Sequence, residues 1–236
     1  MNFFSRAVIF KEIKTFCESE GRELVPKNFF LTKGIGIHHS EDVSRELAMR
    51  SAGIERLNLR KNANPITIPP GCKMILPEEG LRLLSPGISV DGAYEVRSTN
   101  ESMRLIAAAV GVAMPVDVDQ CGYAYCRGNE GETDEKSGDI AEDCAATMLA
   151  SALGVEFDPD GAWDEREKIY RLSGKIIKPT NCTQSAKGPK DDVFISVVSC
   201  LIFVPSDPFA ELLKAANGLK QAASHLIKLS QLLQAA

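Results

Sequence analysis

Leu105-Ile-Ala-Ala-Ala-Val-Gly-Val-Ala-Met114 is the stretch on which the fold turns. It is too short for a membrane-spanning helix, which needs about 20 apolar residues. It also lacks the polar alternation of a strand with one wet face. An unbroken apolar run of this kind reads as a strand buried on both faces. Such a strand needs a covering layer on each side, which predicts an α/β domain.

Working outward, further strands are predicted at Phe29 to Ile37, Ile54 to Leu59, Ile88 to Val96, Cys121 to Arg127, Lys175 to Thr180 and Val193 to Val204. Gly34 and Gly36 fall inside the first of these. They read as places where another backbone comes close, since Lys33-Gly-Ile-Gly36 is far short of a phosphate loop. His38 and His39 at its end read as surface residues. Helices are predicted at Glu41 to Ser51, Glu78 to Leu84, Asp134 to Leu153 and about Ala162 to Leu172. Pro77 opens the second, and Thr133 can cap the third. That third helix carries Ile140, Cys144, Thr147, Met148 and Leu149 on one side. The stretch Asn62-Ala-Asn-Pro-Ile-Thr-Ile-Pro-Pro-Gly71 is dense in turn formers and reads as a loop.

Two segments flank this domain. In residues 1–24, Val8, Ile9, Ile13, Phe16 and Cys17 share one side of a predicted helix that Gly21 ends. In residues 205–236, Pro205-Ser-Asp-Pro208 breaks the last strand. Leu212, Ala216, Leu219, Ala223, Leu226, Ser230 and Leu233 then recur at heptad-like spacing. Gly218 weakens this C-terminal amphipathic helix by about 1 kcal/mol. The helix is expected either to dock on its own domain or to meet a partner.

The charge balance narrows the function. The 27 Lys and Arg residues against 32 Asp and Glu give a net charge of −5. A mildly acidic chain without a basic block argues against nucleic acid and anionic membrane. The N-terminal Met-Asn-Phe-Phe-Ser-Arg6 is not followed by the apolar stretch of a signal peptide. The seven cysteines include no CxxC pair, so they read as small buried residues of a reducing cytoplasm rather than zinc ligands. The expectation is a cytoplasmic protein with no metal. The sequons at Asn100 and Asn181 are then chance matches.

Several motifs recur in one order: Ala52-Gly-Ile-Glu-Arg-Leu-Asn-Leu59, Pro69-Pro-Gly-Cys-Lys73, Gly131-Glu-Thr-Asp-Glu-Lys136 and Ala141-Glu-Asp-Cys-Ala-Ala-Thr-Met-Leu149. Phe157-Asp-Pro-Asp-Gly-Ala-Trp-Asp-Glu-Arg-Glu167, Ser173-Gly-Lys-Ile-Ile177 and Asn181-Cys-Thr-Gln-Ser-Ala-Lys187 extend the series. Together, across residues 25–204, they resemble the pyruvoyl-dependent arginine decarboxylases, closest to the bacterial branch. The resemblance implies an αββα sandwich, here with an added C-terminal helix, that assembles as a trimer or stacked trimers. It implies conversion of arginine to agmatine and carbon dioxide. In that family a serine attacks the preceding carbonyl, the chain splits, and the serine becomes an N-terminal pyruvoyl group. Its ketone takes up the electrons that decarboxylation releases, and a glutamate acts as general acid.

Carried over residue by residue, the resemblance fails at the reactive positions. The family has Ser-Ser or Thr-Ser shortly before Pro-Pro. Aligned through Asn58-Leu59, that pair falls on Ala63-Asn64; aligned back from Pro69-Pro70, it falls on Pro65-Ile66. Neither register holds a serine, and none occurs between Ser51 and Ser85. Thr67 is the only hydroxyl of the loop and is out of register from both sides. Cys126 takes the place of the general-acid glutamate, a thiol being a poor substitute for a carboxylic acid. Arg127 beside it is expected to lower its pKa. Glu130, four residues on, does not reach that position without a loop rearrangement. Two positions match: Glu46 where the family carries an acid near the substrate guanidinium, and Asn58 where it carries an asparagine beside the cleavage site.

The expectation is therefore a homologue of the family that does not self-process. It would carry no pyruvoyl cofactor and serve as a non-catalytic binding, regulatory or scaffold subunit, a pseudoenzyme of arginine and polyamine metabolism. Its expected partners are further copies of itself, together with an active paralogue or another protein through the C-terminal helix. The alternative is an active arginine decarboxylase with an atypical self-cleavage or electrophile in the 62–68 loop. An enzyme centred on Cys126 is a third class, with no base beside the thiol in sequence.

Overall fold

The structure, a computed structural model, describes residues 25–164, 169–172 and 175–206. The predicted N-terminal helix and the C-terminal helix beyond Pro208 lie outside the described residues. The chain divides into two compact units, Pro26–Val204 and a second made of Met1–Val25 with Pro205–Ala236. The elements of the first unit run β1 (Asn28–His38), α1 (Glu41–Ser51), β2 (Asn58–Lys61), β3 (Ile66–Ile68), β4 (Lys73–Met74), α2 (Pro77–Leu83) and β5 (Ser89–Thr99). They continue with β6 (Leu105–Pro115), β7 (Gly122–Glu130), α3 (Asp134–Ala152), α4 (Pro159–Ala162), β8 (Trp163–Asp164), β9 (Ile169–Leu172), β10 (Lys175–Lys187) and β11 (Phe194–Val204).

These strands form two sheets, ordered β2-β5-β11-β1-β4 and β3-β7-β6-β10-β9-β8. Side chains alternate across each strand, so one face of each sheet meets the other sheet and one meets helices. On β11, Val197, Leu201 and Phe203 enter the space between the sheets, while Val198, Cys200, Ile202 and Val204 pack beneath α1 and α2. On β6, Ile106, Ala108, Val110 and Val112 enter the same inter-sheet space. Ala113 faces α3, among Ala145, Ala146 and Leu149. The layers are therefore helix, sheet, sheet, helix, and Leu105 to Met114 is covered on both faces.

Small residues set how closely the outer layers approach. A Cβ on Gly34 would lie 2.1 Å from the Ala48 carbonyl oxygen, and one on Gly36 2.2 Å from that of Ser44. The backbone of α1 thus rests directly on β1. Buried Ser44 fixes the contact by donating to the Gly36 carbonyl and meeting the Ser196 hydroxyl at 2.8 Å. On the other sheet, a Cβ on Gly111 would lie 2.1 Å from the carbonyl carbon of Ala141. The buried face of α3 is accordingly Ser137, Gly138, Ala141, Ala145, Ala146, Leu149 and Ala150. The predicted face differs: Leu149 is buried, Ile140, Cys144 and Met148 are half-buried, and Thr147 is exposed. Close approach to β6 selects small side chains, and the larger ones flank the contact.

Four further elements depart from the sequence reading. Ile54 to Leu57 is a turn after Gly53 (φ +76°), and the strand begins only at Asn58. Ile54 is apolar because it fills the core under α1 and α2, not because it is extended. The loop at 62–71 contains a strand, β3, antiparallel to β7. The helix expected at Ala162 to Leu172 is instead the short turn α4 followed by the β8–β9 pair. Ile169 and Tyr170 are there residues of a sheet, which favours β-branched and aromatic side chains. β10 runs on to Lys187, seven residues past the predicted end at Thr180, because it pairs with β6 from Ile177 to Lys187.

Gly111→Ala is expected to push α3 off β6 and to destabilise the domain by about 1–3 kcal/mol, the usual range for overpacking. Denaturant unfolding of the variant checks this; an unchanged midpoint would show that the sheet and helix have room to spare.

Candidate functional site

The site forms where the 62–68 loop meets β7. In β3, Ile66 and Ile68 are buried and Thr67 is exposed. The register is Ile66 opposite Ala124, Thr67 opposite Tyr123 and Ile68 opposite Gly122. Two steps back, residue 64 comes opposite residue 126. Pro65 has no N–H, and the backbone ladder stops there. The Asn64 side chain takes over: its Oδ1 accepts from the Cys126 N–H at 2.9 Å, and its Nδ2 donates to the Cys126 carbonyl at 2.7 Å. A carboxamide presents one acceptor and one donor, as a backbone partner would. Two positions that the sequence singled out separately, Asn64 and Cys126, are thus joined. Ala63 and Pro65 flank the joint, and the Asn64–Pro65 bond is cis.

The Cys126 side chain lies in the inter-sheet core with Ile68, Val110, Ala124 and Leu201. Burial pushes its thiol up to about 12, Glu95 adds to the rise, and Lys61 opposes it. The expected lowering by Arg127 does not occur. Neighbouring strand residues point to opposite faces, and Arg127 is engaged by Glu132 at 2.7 Å. Glu130 is paired with Arg104.

The two remaining matched positions are engaged elsewhere in the chain. Glu46, on α1, pairs with Arg50 one turn on, at 2.6 Å. Asn58, at the start of β2, donates to the Gly87 carbonyl at 2.8 Å. Among the described residues no group of three or more His, Cys, Asp or Glu side chains is placed to hold a metal ion.

Three charged residues at this site were not picked out from the sequence: Lys61, Glu95 and Arg97. Glu95 and Arg97 follow Ala93 at alternate positions of β5 and so share its inter-sheet face. The Glu95 side chain is 16% exposed, and its carboxylate has Arg97 Nη1 at 3.0 Å and Lys61 Nζ at 3.8 Å. Lys61 also stands 5.0 Å from the centre of the Tyr94 ring. The available signal was a charge pair at inward-facing positions of a predicted strand.

Glu95 belongs to a polar row that crosses the sandwich. The registers place Glu95, Ser199 and Lys33 side by side on one sheet, and Cys126, Val110 and Cys182 side by side on the other. The rows are stitched together: Ser199 Oγ donates to the Cys182 carbonyl at 2.6 Å, and Lys33 Nζ to the Thr183 carbonyl at 2.8 Å.

Two outcomes check this geometry. With a thiol pKa of about 12, Cys126 is about one part in ten thousand thiolate at pH 8, and only the thiolate alkylates. Native Cys126 should therefore resist iodoacetamide at pH 8, its labelling rising about tenfold for each pH unit while the fold holds. Rapid labelling at pH 8 would contradict the burial. Asn64→Ala removes both bonds to Cys126 and should cost about 1–3 kcal/mol. Hydrogen exchange at the Cys126 amide should accelerate while exchange in α3 stays as it was.

Comparison with known proteins adds an independent finding. The profile of the family described as pyruvoyl-dependent arginine decarboxylase matches residues 28–208. A protein of Chloroherpeton thalassium named probable pyruvoyl-dependent arginine decarboxylase is 49% identical over 181 residues, 77% of this chain and 98% of its own. One of Chlorobium limicola with the same name is likewise 49% identical, with the same coverage. Pyruvoyl-dependent arginine decarboxylase 2 of Methanosarcina mazei is 43% identical over 183 residues, 78% of this chain and 99% of its own.

Proposed function

The chain belongs to the pyruvoyl-dependent arginine decarboxylase family, and from that premise we propose that it is a member which does not self-process. In this reading it acts as a non-catalytic binding, regulatory or scaffold subunit. The observation that carries the proposal is the chemistry of the 62–68 loop. A pyruvoyl group is made from a serine of the chain, and residues 62–68 contain none. Thr67 carries the only hydroxyl and is held in the β3–β7 ladder, next to the Asn64 joint. A threonine processed in the same way would give an oxobutyryl group. The residues present therefore do not fit the pyruvoyl group.

The Cys126 position supports the same reading. A general acid must lose and regain a proton near neutral pH. A buried thiol with a pKa of about 12 stays protonated there. The family's electron sink would supply nearly all of the rate enhancement, so its loss removes the activity rather than reducing it. In assembly, the proposal keeps a homo-oligomer, a trimer or stacked trimers, with an active paralogue or another protein as the further partner.

The purified protein should run as one polypeptide of 25.6 kDa under denaturing conditions. Cleavage in the loop would instead give fragments of about 7 and 19 kDa, in proportion to the 236-residue chain of 25.6 kDa. Intact-mass spectrometry decides between them, and a carbonyl on the larger fragment would establish the active reading. Arginine incubated with the purified chain should yield no agmatine; release of carbon dioxide that borohydride abolishes would overturn the proposal.

A further inference from the structure

The two sheets lose their outer strands on the same side of the sandwich. β4 pairs with β1 only at Asn28 and Phe29, and β9 pairs with β10 only from Lys175 to Ile177. Beyond those points the edges of β1 and β10 border one another, and Lys33 Nζ spans them by donating to the Thr183 carbonyl at 2.8 Å. The Phe29 carbonyl accepts from the Ile75 N–H on the β4 side. Main-chain groups alternate in direction along a strand. Those of Leu31, Lys33, Ile35 and Ile37 therefore turn to the same side, where no described strand pairs with them. Ile35 and Ile37 are 37% and 52% exposed. Their partners on β11, Val197 and Ile195, share a cluster with Ala186, which brings the exposed Lys187 to the same end. β1 and β10 contain no Asp or Glu, in a chain of net charge −5. Neither Lys33 nor Lys187 has an ion-pair partner among the described residues. We propose that this open edge is an interface between copies of the chain, and that it receives the exposed Val116-Asp-Val-Asp119 loop of a second copy.

Exposed strand edges are ordinarily guarded by charge, by proline or by shortness. β2 is four residues long and carries the Arg60–Asp91 pair, and β3, β4 and β8 have three residues or fewer. Over Leu31 to Ile37, β1 has neither device, because its one charge, Lys33, is turned toward β10. The loop between β6 and β7 offers the matching piece. Val116 and Val118 are 50% and 67% exposed. Asp117 and Asp119 are exposed and have no cation partner among the described residues. The Asp119 N–H donates to Asp117 Oδ1 at 3.1 Å, which holds the turn. Two valines and two carboxylates thus alternate along the loop, against two isoleucines and two ammonium groups at the edge. The match is one of charge as well as of apolar surface, and opposite charge steers and orients such contacts. Edge and loop are different surfaces of one chain, so the contact is heterologous and every copy offers both halves. Repeated, it closes into a ring or grows into a fibre. The closed ring is the homo-oligomer of the proposed function, on which this inference rests, while the absence of self-processing does not enter it.

The experiment is charge exchange in the full chain, read by light scattering over a range of protein concentrations. Asp117→Lys with Asp119→Lys, and separately Lys33→Glu with Lys187→Glu, should each raise the concentration needed for assembly by about tenfold or more, because like charges then meet. All four changes in one chain should restore the assembly of the unaltered protein. A monomeric unaltered chain would overturn the homo-oligomer and this inference together. A stable oligomer whose mass neither pair of changes alters, or four changes that restore nothing, would overturn this inference alone. Sensitivity to the edge changes without sensitivity to the loop changes would give the edge a different occupant and overturn the assignment of Val116–Asp119. Lys33→Glu also removes the bond to Thr183. Should that pair of changes fail to fold, Ile37→Asp replaces it. Residue 37 is half exposed, so the variant should fold and yet lose assembly, and retained assembly would count against the proposal.

Discussion

Two strands, β6 and β11, have no wet face, and the rest of the domain is placed by that constraint. A strand buried on both sides must hand one set of side chains to each neighbouring layer. On β11 the sets are of similar bulk, so both sides are ordinary apolar packing. On β6 they are unequal: Ile106, Val110 and Val112 lie toward the sheets, while Ala107, Ala109, Gly111 and Ala113 lie toward α3. The inequality decides which layer comes close. It brings α3 onto backbone at Gly111, and it leaves the space between the sheets to be filled by larger residues. Each outer helix then meets its sheet through glycine, α1 at Gly34 and Gly36 and α3 at Gly111.

The inter-sheet space is not uniformly apolar. The Glu95–Ser199–Lys33 row and the Cys126–Val110–Cys182 row face one another and separate two apolar clusters. One contains Phe29, Ile68 and Leu201, the other Ile106, Ala108, Ile195 and Val197. Polar groups in such a place cost free energy unless they are paired. Ser199, Lys33 and Glu95 all have partners in the structure. The fixed partners also fix sheet-to-sheet alignment, since apolar contacts alone tolerate sliding and a bond of 2.6 Å from Ser199 to Cys182 does not. The candidate site lies at the end of this row, where the interior reaches solvent through Lys61 and Arg97.

The α/β class and the burial of the central strands were legible in the sequence because long apolar runs and paired glycines report directly on burial, whereas the αββα layer order came from the family resemblance. Leu105 to Met114, Val193 to Val204 and the Gly34/Gly36 pair carried the reading of burial. What escaped was information held in pairing rather than in pattern. Ile66-Thr-Ile68 is three residues among asparagines and prolines, and only its pairing with Gly122 to Ala124 of β7 makes it a strand. Ile169 to Leu172 fell into an apparent helix for the same reason. At the site, the missing serine could be read from the loop sequence once the family resemblance said where to look. The joint between Asn64 and Cys126 could not, since 62 residues separate them. Arg127 was judged by its closeness in sequence to Cys126, when strand geometry sends it to the opposite face. Glu95 went unnoticed because its significance depends on the second sheet.

The Asn64 joint also bears on how the polypeptide ages. Asparagine is ordinarily the least durable residue of a chain, because the next residue's N–H can attack its carboxamide and convert it to aspartate. Pro65 offers no such N–H. The other route, attack of the carboxamide nitrogen on its own main-chain carbonyl, would sever the chain before Pro65. It needs a nitrogen free to turn inward, and in this fold Nδ2 is committed to the Cys126 carbonyl. At this peptide the proline thus closes the first route, and the bond that completes the sheet holds back the second for as long as β3 stays on β7.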